Sequence, residues 1–227
     1  MNIGGFIKNS FVDYPGKIAS VVFTQGCNLR CSYCHNLSLI DPNDTSNVIL
    51  PEEIFEFLSK RKGMIDAVVV SGGEPTLQTN LDVFIAELKS LRLLVKLDTN
   101  GTNPDSLRML IEEGLLDFIA MDLKAPLSKY DSITRTSQLE LVSIRESVEV
   151  IKNSGLAHEF RTTLCPELEA DDIPSIILDF DIASNYVVQR CRSTELNKVS
   201  KDKEDLKRLI QWYEENQTFS FRGFELD

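Results

Sequence analysis

Three of the five cysteines of the chain lie within eight residues, and no other feature of the sequence restricts its chemistry as strongly. Cys27, Cys31 and Cys34 are spaced C-x3-C-x2-C in the segment Thr24–Asn36, directly after a short apolar run. Thiolate sulfur is a preferred ligand of iron–sulfur clusters, zinc and copper(I), so the spacing predicts a metal site. Three cysteines leave one iron of a [4Fe-4S] cluster without a protein ligand, and that iron can bind a substrate or cofactor. The segment therefore favours a catalytic iron–sulfur cluster over a structural metal site.

Two other kinds of metal site are also compatible with the same residues. His35 directly follows Cys34 and could complete a Cys3His zinc site, although a structural zinc site commonly draws a second ligand pair from elsewhere in the chain. Cys31–His35 also fits the haem-attachment pattern C-x-x-C-H, which is normally used in oxidising, exported compartments. A zinc-binding interaction module would be colourless, with one zinc per chain and no iron.

The cysteine spacing and the residues around it resemble the radical S-adenosylmethionine (radical SAM) enzymes. Tyr33, an aromatic residue before the third cysteine, is part of this resemblance. Asp13–Lys17 and Cys31–Asn36 are similar, more narrowly, to the activating proteins of anaerobic ribonucleoside-triphosphate reductase, with the pyruvate formate-lyase activating enzymes as close relatives. The resemblance runs from about Ile3 to Gln189. It implies a [4Fe-4S] cluster held by the three cysteines, with S-adenosylmethionine bound at the open iron.

Composition restricts the cellular compartment and the kinds of partner that we expect for this chain. The net charge of the 227 residues is −11, and no Lys/Arg cluster offsets it, which argues against a nucleic-acid partner. The sequence shows neither a signal-peptide pattern at its start nor an apolar run of membrane-spanning length. An odd number of cysteines, three of them adjacent, argues against a disulfide framework. We therefore expect a cytoplasmic protein without a membrane partner, folded as a single domain over residues 1–227, of which residues 192–227 are a divergent tail.

Short apolar runs rich in β-branched residues alternate with helical patterns along the chain. The runs predict strands at residues 18–24, 67–70, 93–97, 118–121, 159–164 and 186–189. Helical periodicity predicts helices that start at Pro51 or cover residues 81–91, 104–113, 141–154, 173–183 and 203–216. This alternation is typical of parallel βαβ units, and the chain has room for about six of the eight that close a barrel. The sequence thus predicts an α/β fold, an open partial (β/α)6 barrel, which is also the fold that the resemblance implies.

Gly72, Gly73 and Glu74 follow the second predicted strand and precede Pro75. Two glycines at this place are compatible with an ordinary tight turn, and the segment lacks the lysine of a phosphate-binding loop. The resemblance implies that the segment holds the amino group of S-adenosylmethionine. The chemistry suits this role, because glycines allow close approach of backbone carbonyls and the Glu74 carboxylate can accept a hydrogen bond from an ammonium group.

Polar and charged residues also end the next three predicted strands. An Asx turn, a solvated ion pair and an arginine facing water would each explain one of them structurally. The carboxyl ends of parallel strands meet at one edge, however, where barrels of this kind place their chemistry. The resemblance implies that Asp98, Thr99, Asp122 and Lys124 surround the methionine carboxylate and a monovalent cation, with Lys124 as the carboxylate partner. We expect Arg161 to pair with a carboxylate of cofactor or substrate.

The resemblance implies a function as an oxidoreductase of the radical SAM activase type. Such an enzyme takes an electron from a flavodoxin or ferredoxin and generates a glycyl radical on a partner reductase. A small-molecule radical SAM enzyme, similar to 7-carboxy-7-deazaguanine synthase, remains the alternative, since the three cysteines do not separate the two. Asp13–Lys17, Asp98–Gly101 and Asp122–Lys124 favour the activase. Cys165 and Cys191 stand alone in the sequence, and we predict no second cluster.

Overall fold

A single sheet of eight strands, arranged in the order of the sequence, organises the computed structural model. The structure describes residues 1–44, 46–135, 137–191, 203–216 and 219–224. The first strand pairs antiparallel with the second, and all later neighbours are parallel. The strands are β1 (Ile3–Ser10), β2 (Ala19–Thr24), β3 (Ala67–Gly72), β4 (Leu94–Thr99), β5 (Phe118–Asp122), β6 (Ala157–Leu164), β7 (Tyr186–Arg190) and β8 (Phe219–Arg222).

Helices connect the parallel strands, and several begin at residues suited to a helix start. Pro51 and Pro104 occupy the first turn of their helices, where a missing N–H costs nothing. Ser137 and Glu140 form a capping box at the start of another. The helices are α1 (Pro51–Lys60), α2 (Leu81–Ser90), α3 (Pro104–Glu112), α4 (Leu127–Thr134), α5 (Gln138–Lys152), α6 (Asp172–Asp179) and α7 (Lys203–Asn216).

The α/β fold with a mostly parallel, open sheet is confirmed, and the structure adds three elements to the prediction. All six predicted strands and six predicted helices are present, as β2–β7 and as α1–α3 and α5–α7. Strand β1 was not predicted because its Gly4-Gly5 pair weakens the strand pattern. Helix α4 was not predicted because five of its eight residues, two serines, one threonine, one isoleucine and one aspartate, are weak helix formers. Strand β8 lies in the predicted tail and adds a seventh parallel strand after the six predicted strand–helix units.

The two faces of the sheet are covered differently. One face packs against the helices in a large apolar cluster that includes Val68 and Leu97 from the sheet and Leu88 and Ile144 from helices. The other, inner face carries a small cluster of β2, β3, β4 and β5 residues together with Tyr14. Since the inner cluster contains no helix residue, the inner face is filled by the sheet's own side chains, as expected for a sheet that curves around them.

The Asp13–Lys17 segment lies at the N-terminal ends of the strands. The Tyr14 ring lies 5.8 Å from the ring of Phe118, at the start of β5, and also packs on Ala19 and Ala67. Asp13 accepts a hydrogen bond from the Ser10 hydroxyl. The segment therefore closes the inner face at the end opposite the strand C-termini.

Among the described residues, no helix combines the length and the apolar character that crossing a membrane would require.

Candidate active site

Every site residue predicted from the sequence lines one cavity at the C-terminal ends of β2–β6, called here the site cavity. Leu29, Ile40, Ser71, Asn100 and Thr163 also line it and were not predicted. The predicted residues come from the cysteine loop after β2, the glycine turn after β3 and the ends of β4, β5 and β6. They are Cys27, Cys31, Tyr33, Cys34, Gly72, Gly73, Glu74, Asp98, Thr99, Asp122, Lys124 and Arg161.

Backbone hydrogen bonds fix the cysteine loop at its start and in its middle. The N–H of Cys27 donates to the carbonyl of Ile40 at 3.1 Å. Further along the loop, the N–H groups of Arg30 and Ser32 donate to Thr134 and Ile133, both at 3.0 Å. Helix α4, which the sequence did not reveal, therefore anchors the middle of the loop through its last residues.

The three cysteines suit a cluster better than a single ion. All three are half-buried in the site cavity, but no three Cys, His, Asp or Glu side chains of the described residues lie close enough to hold one metal ion. A [4Fe-4S] cluster binds each cysteine through a different iron and so tolerates this spread, whereas a closed zinc site does not. Burial raises the pKa of Cys27 to about 11 and raises that of Cys31, so metal binding must displace protons from these thiols.

The glycine turn after β3 lies directly against the start of the cysteine loop. The N–H of Gly73 donates to the Thr24 carbonyl at 2.9 Å, and the N–H of Glu74 donates to the Gly26 carbonyl at 2.8 Å. A Cβ on Gly73 would lie 2.1 Å from the Gly26 carbonyl oxygen, and one on Gly72 (φ +117°) would lie 2.3 Å from the Thr24 nitrogen. Both contacts are with backbone, so glycine is required for the two segments to touch.

Glu74 is fully buried and joins two strand ends. Its Oε1 accepts hydrogen bonds from the N–H and hydroxyl of Thr76 and from the hydroxyl of Thr99, and its Oε2 accepts one from the N–H of Asn100 at 2.6 Å. Burial raises the pKa of Glu74, and these hydrogen bonds oppose the rise. The carboxylate therefore holds β3 and β4 together, and only Oε2 retains capacity for a further donor.

Five charged side chains form a network on the inner face, and four of them line the site cavity. Asp98 contacts Lys96 at 2.6 Å and Arg161 at 3.3 Å, and Asp122 contacts Arg161 and Lys124, both at 2.8 Å. Burial alone would raise the pKa values of the two carboxyls, but Arg161 and the paired lysines outweigh it and lower both. Both aspartates are therefore ionised and held in place.

The network continues to the far edge of the sheet. Glu159 on β6 lies 3.8 Å from Arg161 and accepts two hydrogen bonds, at 3.0 and 2.7 Å, from Arg222 on β8. Sequence reasoning missed Lys96, Glu159 and Arg222. The spacing of Lys96 from Asp98, and of Glu159 from Arg161, was a usable signal, because residues two apart on a strand share a face.

Tyr33 leaves a polar atom for a ligand. Its side chain is 5% exposed, and its hydroxyl is the one buried side-chain polar atom of the described residues without a hydrogen-bond partner. Burial raises the pKa of Tyr33, so the group is a neutral donor. An unpaired buried hydroxyl is costly, and a bound ligand with an acceptor oxygen would satisfy it.

The remaining cysteines lie outside the site cavity. Cys165 and Cys191 are both buried, and neither lines it. Burial raises the pKa of Cys165 to about 12, which makes it a poor nucleophile and metal ligand.

The geometry and the sequence agree on the class of protein. The profile of the Radical SAM superfamily matches residues 21–180, so the chain belongs to this superfamily. Its members use a [4Fe-4S] cluster and S-adenosylmethionine, and the three cysteines with the unpaired Tyr33 hydroxyl fit these cofactors.

Individual proteins give more specific similarities than the superfamily match does. The chain is 35% identical, over 83% of its length and 79% of the relative's, to a protein of Methanocaldococcus jannaschii named as a glycyl-radical enzyme activating enzyme. It is 27% identical to the GTP 3′,8-cyclase of Helicobacter pylori, over 90% of this chain and 65% of the cyclase. It is 40% identical to the pyruvate formate-lyase-activating enzyme of Staphylococcus aureus over 40% of this chain and 38% of that enzyme. The last two matches cover less than two thirds of each relative.

Solved structures share the fold at low identity. SuiB of Streptococcus suis, solved with S-adenosylmethionine, superposes with a TM-score of 0.68 at 17% identity, over 87% of this chain and 48% of SuiB. The anSMEcpe protein with bound AdoMet gives a TM-score of 0.66 at 19% identity, over 87% of this chain and 62% of that protein.

Proposed function

We propose that the chain is an activating enzyme that generates a glycyl radical on a partner, an anaerobic ribonucleoside-triphosphate reductase. The observation that carries this proposal is the 35% identity, over most of both chains, to a protein named as a glycyl-radical enzyme activating enzyme. The resemblance of Asp13–Lys17 and Cys31–Asn36 to reductase-activating proteins supports the choice of partner. The proposed electron donor is a flavodoxin or a ferredoxin.

Each part of the site cavity has a distinct role in this proposal. Cys27, Cys31 and Cys34 hold the cluster. When bound, the cluster and S-adenosylmethionine supply a 5′-deoxyadenosyl radical by reductive cleavage of the sulfonium. The glycine turn and Glu74 Oε2, which can accept a further hydrogen bond, bind the amino group. Lys124 and the Tyr33 hydroxyl bind the methionine carboxylate. Thr99 keeps Glu74 in position, and Arg161 holds both aspartates.

Replacing Lys124 by methionine is expected to weaken S-adenosylmethionine binding about tenfold or more without loss of iron. The lysine supplies a charge-assisted hydrogen bond to the carboxylate, which is worth about 1.5–3 kcal/mol. Calorimetry on the anaerobically reconstituted protein measures the affinity, and iron analysis checks the cluster. Lys129→Met is the matched control, because Lys129 pairs with Asp172 at 2.8 Å and does not line the site cavity. Equal affinity in the two variants would remove Lys124 from the site.

A protein substrate is compatible with this fold. Abstraction is productive when the C–H bond lies within about 3–3.5 Å of the radical carbon. A glycine on a loop of the partner can reach that position only through an opening into the site cavity. SuiB, which shares the fold with a TM-score of 0.69 and 16% identity over 91% of this chain and 48% of SuiB, has been solved with its precursor peptide. SuiB is thus an example of a protein that contains this fold and binds a peptide, which supports the proposal of a polypeptide substrate.

Mixing the reduced, cofactor-loaded protein with the candidate reductase tests the proposal. We expect a persistent glycyl-radical signal on the reductase by electron paramagnetic resonance, and none when the Lys124→Met or cysteine variants replace the wild type at limiting cofactor. A reductase that gains no radical while the protein cleaves S-adenosylmethionine normally would refute the activating function.

A small-molecule radical SAM enzyme is the second candidate. The observation that favours it is the 27% identity to GTP 3′,8-cyclase over 90% of this chain. If this candidate is correct, the protein should turn over a purified nucleotide or deazapurine precursor without any partner protein. Product analysis by mass spectrometry, run in parallel with the radical assay, decides between the two candidates.

A further inference from the structure

Lys96 lies in an unusual position for a lysine. It is on β4, two residues before Asp98, so both side chains point to the inner face. Lys96 is 2% exposed, its Nζ lies 2.6 Å from Asp98 Oδ1, and the same Nζ lies 5.9 Å from the centre of the Phe118 ring. A buried ammonium is costly unless it is paired, and the contact with Asp98 supplies that pairing.

Each of the four carboxylate oxygens of the two aspartates already has a cationic hydrogen-bond donor. Asp98 Oδ1 accepts from Lys96 and Oδ2 from Arg161, whereas Asp122 Oδ1 accepts from Arg161 and Oδ2 from Lys124. Counted with Glu159 and Arg222, the network has four cationic and three anionic side chains and a net charge of +1. A monovalent metal ion placed between the aspartates would therefore meet excess positive charge and oxygens that already have cationic partners.

The monovalent cation that the family resemblance implies thus does not fit this arrangement. We propose that the ammonium of Lys96 takes the place of that cation: Lys96 is a positioning residue that holds Asp98, and the chain binds S-adenosylmethionine without Na⁺ or K⁺. The proposal rests on the S-adenosylmethionine site described above. It is independent of whether the radical is passed to a protein or a small molecule.

The wild-type protein gives the first test. Calorimetry with the anaerobically reconstituted holoenzyme compares S-adenosylmethionine affinity in a buffer whose cation is tetramethylammonium with that in KCl or NaCl at the same ionic strength. We expect affinities that agree within about twofold, because no alkali-metal site contributes to binding. Binding that appears only with K⁺ or Na⁺ would overturn the proposal and leave the activating function untouched.

Lys96→Met gives the second test, because methionine keeps most of the apolar stem and removes the ammonium. We expect affinity to fall about tenfold in the tetramethylammonium buffer and to be restored by K⁺ or Na⁺, which can now occupy the position beside Asp98. A loss of folding alone would not be repaired by an alkali metal. Iron content and thermal unfolding in both buffers check that the variant is intact.

Two further variants complete the comparison. Lys96→Arg retains the charge and is expected to keep cation-independent binding. Lys89→Met removes a lysine that pairs with Asp117 at 2.6 Å outside the site cavity, and it should show neither the loss nor the rescue. A Lys96→Met protein that binds as tightly as the wild type without alkali metal, or one whose loss K⁺ and Na⁺ do not repair, would contradict the role assigned to Lys96.

Discussion

Replacing any one of Cys27, Cys31 and Cys34 by alanine is expected to remove the [4Fe-4S] cluster and with it all cleavage of S-adenosylmethionine. Each thiolate binds a different iron, so the loss of one leaves two irons without protein ligands. The chain offers no replacement thiolate close by, since Cys165 and Cys191 lie outside the site cavity. Anaerobic reconstitution should give about four irons and four sulfides per wild-type chain and almost none in each variant.

The two remaining cysteines supply the control for this experiment. Cys165→Ala and Cys191→Ala remove buried thiols and should keep the full cluster and its absorbance, apart from a modest loss of stability. Full iron content in all three site variants would show that the cluster is bound elsewhere. A wild-type protein that takes up one zinc and no iron would support the zinc-binding module instead.

Replacing Gly73 by alanine is expected to destabilise the fold and to displace the cysteine loop. The new methyl carbon would lie 2.1 Å from the carbonyl oxygen of Gly26 and 3.0 Å from that of Leu39. Backbone on both sides cannot rotate away, so the cysteine loop must move. We expect the free energy of unfolding to fall by about 3 kcal/mol in urea titrations, with partial or complete loss of iron.

Gly114→Ala is the matched control, because a methyl group there meets nothing within 4 Å. Gly114 has φ +66°, so alanine at this position carries only the cost of a left-handed backbone, about 1 kcal/mol. Iron content should stay at the wild-type level. If Gly73→Ala cost no more than Gly114→Ala and kept its iron, the contact between the glycine turn and the cysteine loop would not be needed for the cluster.

Local patterns predicted residues that the fold brings together in one cavity. The cysteine spacing, the glycine pair and the polar residues at strand ends are each visible within a few positions, and parallel strands bring their C-terminal ends together whatever the details of packing. The alternation of apolar runs and helical periods likewise predicted the six central strands. These features depend on residues near one another in the sequence.

Other features depend on contacts between distant segments. Lys96 pairs with its near neighbour Asp98, but Arg161 reaches Asp98 across β5, and Arg222 reaches Glu159 from the last strand. No local pattern shows that Arg161 holds two aspartates rather than a ligand carboxylate. Helix α4 has weak propensity, and it is fixed by packing, as the full burial of Tyr130 indicates.

The Asp13–Lys17 segment shows how a resemblance can identify a relative without identifying a site. Its sequence favoured an activating enzyme, yet Tyr14 packs on Phe118 at the opposite end of the sheet from the cysteines. The segment is therefore evidence for the function only through its sequence similarity to activating proteins. The chemical argument for the function depends on the site cavity.

Isotope transfer from the partner's glycine tests the proposed function most directly. The candidate reductase is prepared with glycine deuterated at Cα and mixed with the reduced protein and S-adenosylmethionine, and the 5′-deoxyadenosine is analysed by mass spectrometry. The proposal predicts one deuterium in 5′-deoxyadenosine, in step with the growth of the glycyl-radical signal. Unlabelled 5′-deoxyadenosine in the presence of the reductase, together with turnover of a small molecule, would contradict it.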